Sequence, residues 1–404
     1  MARAIRRAAG IGRSAPRERA APVAAKPKII VDFNTKFIGP EKRVWSLFPG
    51  KEYKFYAHFM DQGVVFGDFP GLLLRDVNID DDDTLRKWIA LSDKVRTYYT
   101  DRKSDDKNPS RDPENYKGYK WTGPRLNAKG VIMGLYSRAK KGDLVLVPAK
   151  GGAWASTRIG EFTDDPKEIV YEQNVRRYQK EKVPARRVRW IGAIDNRGLP
   201  EEFYHQLTSP NAFRQVGRSY YDFVYRRAYG NFMRTEMANS MFDIGAEEFS
   251  TVPDMYLKII ANFAAEVAKN IEDKTIEEFL DRPFADWLFD IEESDFFANQ
   301  KISVNSPGKN LLHSITITPI LAVVIFALCQ YPATEIKASD LEFTNSAAGG
   351  QLDPCDIPVV ENAKIAFDMM SLEKLELLCK AATKAQKMGR IKTPIKTRVH
   401  KDAG

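Results

Sequence analysis

The sequence predicts an α+β protein, with a small β-barrel carrying helical inserts in its first half and a mainly α-helical second half. Two patterns carry this expectation. Short alternating apolar runs broken by Gly and Pro fill most of residues 28–216. From residue 217 apolar side chains recur at helical period, as in MYLKIIANFAAEVAKNIEDKTIEEFL and SLEKLELLCKAATKAQKM. A chain of 404 residues that is 43% hydrophobic can bury real cores, which excludes wholesale disorder and collagen-like or disulfide-scaffold architectures. Its length suits two domains of about 100–200 residues each.

Residues 1–27 are rich in Ala and Arg and contain one acid, Glu18; they read as a disordered basic arm and lack the apolar stretch of a secretory signal. A β-rich opening follows, KPKIIVDFNTKF and then VWSLFPGKEYKFYAHFMDQGVVFGDFPGL. The acidic run DDDD precedes TLRKWIALSDKVRTYY, a favourable helix start because carboxylates meet the positive end of the helix dipole. Asp101 to Tyr116 reads as a mobile loop, and a second helix is expected over Ala128 to Ala139. Leu144 to Val147, Thr157 to Thr163 and Ala185 to Ile194 are the next strands. In the last, Arg187, Arg189 and Ile191 alternate with Val188, Trp190 and Gly192, so one face carries arginines and Trp190 faces the core. The domain boundary is placed near Gly217, giving 28–216 and 217–386, with Ser306 and Pro307 as a helix start and 387–404 as a second basic tail.

With 62 Lys+Arg against 54 Asp+Glu the formal net charge is +8, which favours a polyanionic partner. Cys329, Cys355 and Cys379 lack metal-type spacing and suit a reducing, cytoplasmic compartment; the four histidines are scattered, so no metal site is expected. Leu311 to Cys329 carries no charge and approaches the length of a bilayer span. Pro319 and the hydroxyl residues before it leave about 10 strongly apolar residues, the signature of a buried helix rather than a membrane anchor.

The succession GVVFGDFPGL, a helix with Trp88, GDLVLVPAKGG, IGEFT, VPARRVRWI and LPEEFYHQLTSPNAF resembles the EVE-like branch of the PUA-like domains, over residues 40–216. That family accompanies nucleases in bacterial modification-dependent restriction and anti-phage proteins. The resemblance implies a barrel whose pocket accepts a flipped, often modified base, recovering lost stacking against aromatic walls. The implied wall residues are Phe66, Phe69, Trp88, Trp121 and Trp154, with Ser156 and Thr157 as edge readers. Trp154 leads, since Gly151 and Gly152 permit a tight turn there. Lys140, Lys141, Lys150, Arg158, Arg186, Arg187 and Arg189 are the expected phosphate contacts, and DNA the expected partner.

No phosphate-cradling GxxxxGK[ST] motif is present, and no cofactor is expected. One alternative is a membrane-anchored defence effector using residues 311–329; the other is a Mg²⁺-dependent, modification-specific endonuclease using Asp353, Glu361 and Lys364 from an acid-rich stretch that also holds Asp340, Glu342 and Asp356, though Glu361 and Lys364 stand three apart instead of the two that such a motif needs. The helical half is expected to meet a partner protein or a second copy of the chain.

Overall fold

The computed structural model describes residues 28–75, 77–101, 107–208, 212–234, 237–289, 296–303 and 308–400. The basic arm 1–27, part of the loop after Asp101, and Ser306 and Pro307 lie outside the described residues. The strands are β1 (Lys28–Asp32), β2 (Thr35–Phe37), β3 (Val44–Leu47), β4 (Val64–Val65), β5 (Leu144–Pro148), β6 (Ser156–Phe162), β7 (Val170–Glu172), β8 (Val183–Asp195), β9 (Phe213–Gln215), β10 (Asn231–Arg234), β11 (Met237–Ile244), β12 (Asn299–Ser303), β13 (Gly308–Ser314), β14 (Leu341–Thr344), β15 (Ile391–Lys392) and β16 (Lys396–His400). The helices are α1 (Tyr56–Gln62), α2 (Asp82–Asp101), α3 (Gly123–Met133), α4 (Glu201–Thr208), α5 (Tyr221–Ala228), α6 (Thr251–Glu272), α7 (Ile276–Asp281), α8 (Asp286–Phe289), α9 (Thr318–Leu328), α10 (Ile357–Met369) and α11 (Leu372–Gly389). The α+β class holds.

The N-terminal sheet runs β4-β8-β6-β5-β3-β9, with β7 also on β8. Its longest strand, β8, serves two sets of partners: Val183 to Arg187 pair with β7 and β4, and Val188 to Asp195 pair with β6. A register shift at Ile159/Gly160 bends β6, and the absent side chain of Gly160 makes room for the Trp190 ring. Among the described residues the end strands β4 and β9 are not paired with each other, so the sheet is open and curled. Its core joins Val145, Val147, Phe162 and Val188 to Trp45, Phe59 and Phe66. Helix α2 begins with Asp82 and Asp83, as its acidic lead-in predicts. Helix α3 starts five residues before the expected Ala128, because Gly123-Pro124 opens it, and it ends in one wide turn over Gly134–Arg138.

The first two strands belong elsewhere. β2 runs parallel to β10, in a sheet ordered β12-β13-β11-β10-β2 with β15 on β11, while β1 lies between β14 and β16 in a third sheet. Residues 28–37 therefore join the second half, contrary to the expected start of the first domain at residue 28. Likewise the expected tail from Lys387 is ordered through His400: α11 ends at Gly389, and β16 pairs antiparallel with β1. The β2–β10 pairing closes across 196 residues and the β1–β16 pairing across up to 372, beyond the reach of local pattern.

The second half is also less helical than predicted, since its helices pack on a sheet. The apolar segment divides at Ser314 to Thr318, where successive hydroxyls hydrogen-bond to one another; β13 precedes that turn and α9 follows it. Every residue of α9 is buried against α6, α10 and the sheet, with Pro319 in its first turn. Among the described residues no helix is long and apolar enough to cross a membrane. Cys329, ending α9, is disulfide-bonded to Cys379 of α11, a pairing across 50 residues that the odd cysteine count did not suggest.

Candidate nucleic-acid interface

A cleft of about 760 Å³ opens where β2 and the end of α5 meet the N-terminal sheet, with Lys36, Lys42, Lys140, Lys141 and Arg189 on its walls. Local chemistry sets up the lysine pair. Buried Asp143 accepts from the backbone N–H groups of Lys140 (3.0 Å) and Arg43 (3.0 Å) and from Trp45 Nε1 (2.8 Å). Gly142, at φ +81°, closes the turn in the left-handed conformation that glycine adopts without strain. The result is a rigid turn with Lys140 and Lys141 exposed, and neither ammonium has an ion-pair partner among the described residues.

Deeper in the cleft, buried Glu161 accepts from Lys36 Nζ at 2.8 Å and Arg189 Nη2 at 2.6 Å, tying β2 to β6 and β8. Burial alone would raise the Glu161 carboxyl; its bonds to Lys36 and Arg189 outweigh that and hold it below the ordinary glutamate range. Burial, reinforced by the Glu161 charge, pushes the neighbouring Tyr229 hydroxyl well up. A second cleft of about 820 Å³, with Arg75 and Lys167 in its wall, shares Lys140 and Asp165 with the first. The two adjoin, so Lys140 stands on the ridge between them.

The expected phosphate contacts divide accordingly. Lys140, Lys141 and Arg189 meet at the first cleft, whereas Lys150 is exposed beyond β5 and Arg158 is half-buried on β6. Arg187 is exposed and paired with Asp164 at 3.1 Å. Arg186 is a correction: it is fully buried, donating to the carbonyls of Leu135 (2.7 Å), Ala139 (3.0 Å) and Asp164 (2.5 Å), with its guanidinium over the Phe162 ring. The alternation of β8 places Arg186 on the face of Val188, so the sequence held this signal. Lys36, Lys42 and Tyr229 were missed because the pairings that bring them here are long-range.

The expected base-pocket residues do not converge. Phe66 is sunk in the core, edge-on to Phe55 and Phe59. Trp88 is half-buried between two core clusters, and Trp121 donates Nε1 to Asp82 at 2.9 Å beneath Lys129. Thr157 is buried and donates to Asn196 Oδ1 (2.8 Å), and Ser156 is half-buried beside it. Trp154 is 84% exposed on a turn whose Gly151 (φ +132°) and Gly152 (φ +61°) need glycine, with the Arg197 guanidinium 5.3 Å from its ring centre. Phe69 alone of the set lines an open cup of about 410 Å³, formed with Arg96 of α2, Asn127 of α3, and Phe213 and Arg214 of β9.

Two acids of the acid-rich stretch are engaged within the fold. Asp356 is buried and accepts from Asn345 Nδ2 and the Asp353 N–H, both at 2.8 Å, while Glu361 is exposed and Lys364 lies 5.8 Å from the Phe343 ring centre. Glu342 pairs with Lys28. Among the described residues no three His, Cys, Asp or Glu side chains form a group that could hold a metal ion. No protein-family model matches the chain, and no curated protein or solved structure matches it either.

Proposed function

We propose that the chain is a nucleic-acid-binding protein, a DNA reader whose N-terminal half is a PUA/EVE-like barrel that inspects a base drawn from the stack, in a bacterial restriction or anti-phage setting. The observation that carries this reading is the pair of adjoining clefts with Lys140 on their shared ridge, where neither Lys140 nor Lys141 has an ion-pair partner among the described residues. Unneutralised lysines on a rigid turn attract phosphates and release counterions when they bind them. Phe69 and Phe213 lie at the edge of a separate cup in the same half, and Trp154, projecting beside Arg197, offers a stacking face to an unpaired base. Affinity then belongs to the lysines.

The test is fluorescence anisotropy with labelled duplexes and single strands, plain or carrying one modified cytosine or adenine. Binding by the wild type and its loss in the Lys140→Glu/Lys141→Glu double variant supports the reading. Equal binding by the two proteins, or none by either, refutes it.

A further inference from the structure

The first cleft carries positive charge beyond that of its lysine ridge. Five cations, Lys36, Lys42, Lys140, Lys141 and Arg189, face three carboxylates across it, those of Glu41, Glu161 and Asp165. Lys42 is committed, since its Nζ pairs with Glu41 at 3.6 Å and donates to the Lys141 carbonyl at 2.9 Å. Lys36 and Arg189 share one carboxylate, that of Glu161.

That sharing leaves donors over. Glu161 takes one N–H from Lys36 Nζ and one from Arg189 Nη2, whereas an ammonium has three such donors and a guanidinium five. The Glu161 side chain is 6% exposed, against 29% for Lys36 and 65% for Arg189, so a ligand entering the cleft meets the cations and not the carboxylate behind them. Its two partners keep Glu161 ionised at neutral pH. The trio therefore holds two positive charges and one negative.

The pair is also assembled from both halves of the molecule: Lys36 lies on β2, which joins the second sheet through β10, and Arg189 lies on β8 of the N-terminal sheet. We propose that Lys36 and Arg189 form a second phosphate subsite in the cleft, alongside the Lys140 and Lys141 ridge, and that Glu161 is a built-in counter-charge which positions the pair and limits its grip. Phosphate oxygens accept the donors that Glu161 leaves free, in charge-assisted bonds. The carboxylate behind the cations repels the same phosphate. The proposal rests on the nucleic-acid reading above and adds a contact that ties a bound strand to β2 as well as to the turn before β5.

The experiment measures the affinity of the full chain for a labelled duplex by anisotropy, at neutral pH and over a series of salt concentrations, with circular dichroism to check that each variant folds. Lys36→Gln is expected to bind at least about threefold more weakly, with a salt slope shallower by about one. Lys36→Arg keeps the charge and is expected to keep the wild-type slope. Glu161→Gln is expected to bind at least about threefold more tightly than the wild type, because the repulsion is gone. A purely structural link gives the opposite sign, since loosening β2 would weaken binding. Should Glu161→Gln fail to fold, the two Lys36 variants decide alone. A wild-type slope in Lys36→Gln, a slope lost equally in Lys36→Arg, or a folded Glu161→Gln that binds no more tightly overturns the subsite and leaves the ridge reading intact; no binding by the wild type overturns both.

Discussion

Around α6, α9 and α11 the interior is apolar and closed, fastened by Cys329–Cys379, and the buried Asn345 beside it has its amide fully used. The curled N-terminal sheet is built differently. Its first cleft carries Lys140 and Lys141, which have no ion-pair partner among the described residues, beside the linked Lys36, Glu161 and Arg189. One region is closed on itself, and the other presents charged side chains at an opening that a ligand can reach. Stability and binding should therefore separate by mutation.

The largest expected effects fall on stability and leave binding alone. Leu321→Ala in α9 removes a wholly buried side chain and is expected to cost about 2–5 kcal/mol, read as a lower urea midpoint, with anisotropy of the remaining folded protein unchanged. Reducing Cys329–Cys379 reopens a loop of about 50 residues and is expected to cost about 4 kcal/mol; equal midpoints with and without reductant would contradict a structural disulfide. In the N-terminal half, Arg186→Ala strands two buried carbonyls and one half-buried carbonyl and is expected to lose about 3 kcal/mol. A variant that instead lost affinity at unchanged stability would restore Arg186 as a phosphate contact.

Trp154→Ala sharpens the comparison from the other side. The ring is exposed, so stability should move by less than about 0.5 kcal/mol, while affinity for single strands weakens by about 1–3 kcal/mol, the value of one lost stack. The smallest effect is a pH profile. Because the Glu161 carboxyl is held below its unfolded value in the native state, its contribution is present above about pH 4.5 and is lost as pH falls through the lowered native value. Glu161→Gln should flatten that part of the acid unfolding curve; an unchanged curve would mean that the Lys36–Glu161–Arg189 link does not fasten β2 to the sheet.

Local chemistry was legible in the sequence where neighbours in the chain decide it. The acidic start of α2, the β5 and β6 strands and the buried run from Ile320 to Cys329 follow from period, caps and Pro. Pairings that close across the whole chain were not legible. β1 with β16 and β2 with β10 carry no local signal, and they bring Lys36 to the cleft. In the acid-rich stretch Asp356 serves its own loop and Glu342 serves β1, partners that local composition does not reveal. The aromatic set is scattered for another reason: the core takes large rings first, as Phe66 shows, whereas Trp154 stays outside it. Arg186 was the avoidable error, since strand alternation already set it inward with Val188.

The salt dependence of binding tests the central claim most directly. If the Lys140–Lys141 ridge carries phosphates, the logarithm of the affinity for duplex DNA falls linearly with the logarithm of salt concentration. The Lys140→Ala/Lys141→Ala variant should then lose affinity and show a slope shallower by about 2, close to one for each contact removed. A slope identical to that of the wild type would contradict the account and place the polyanion elsewhere on the molecule.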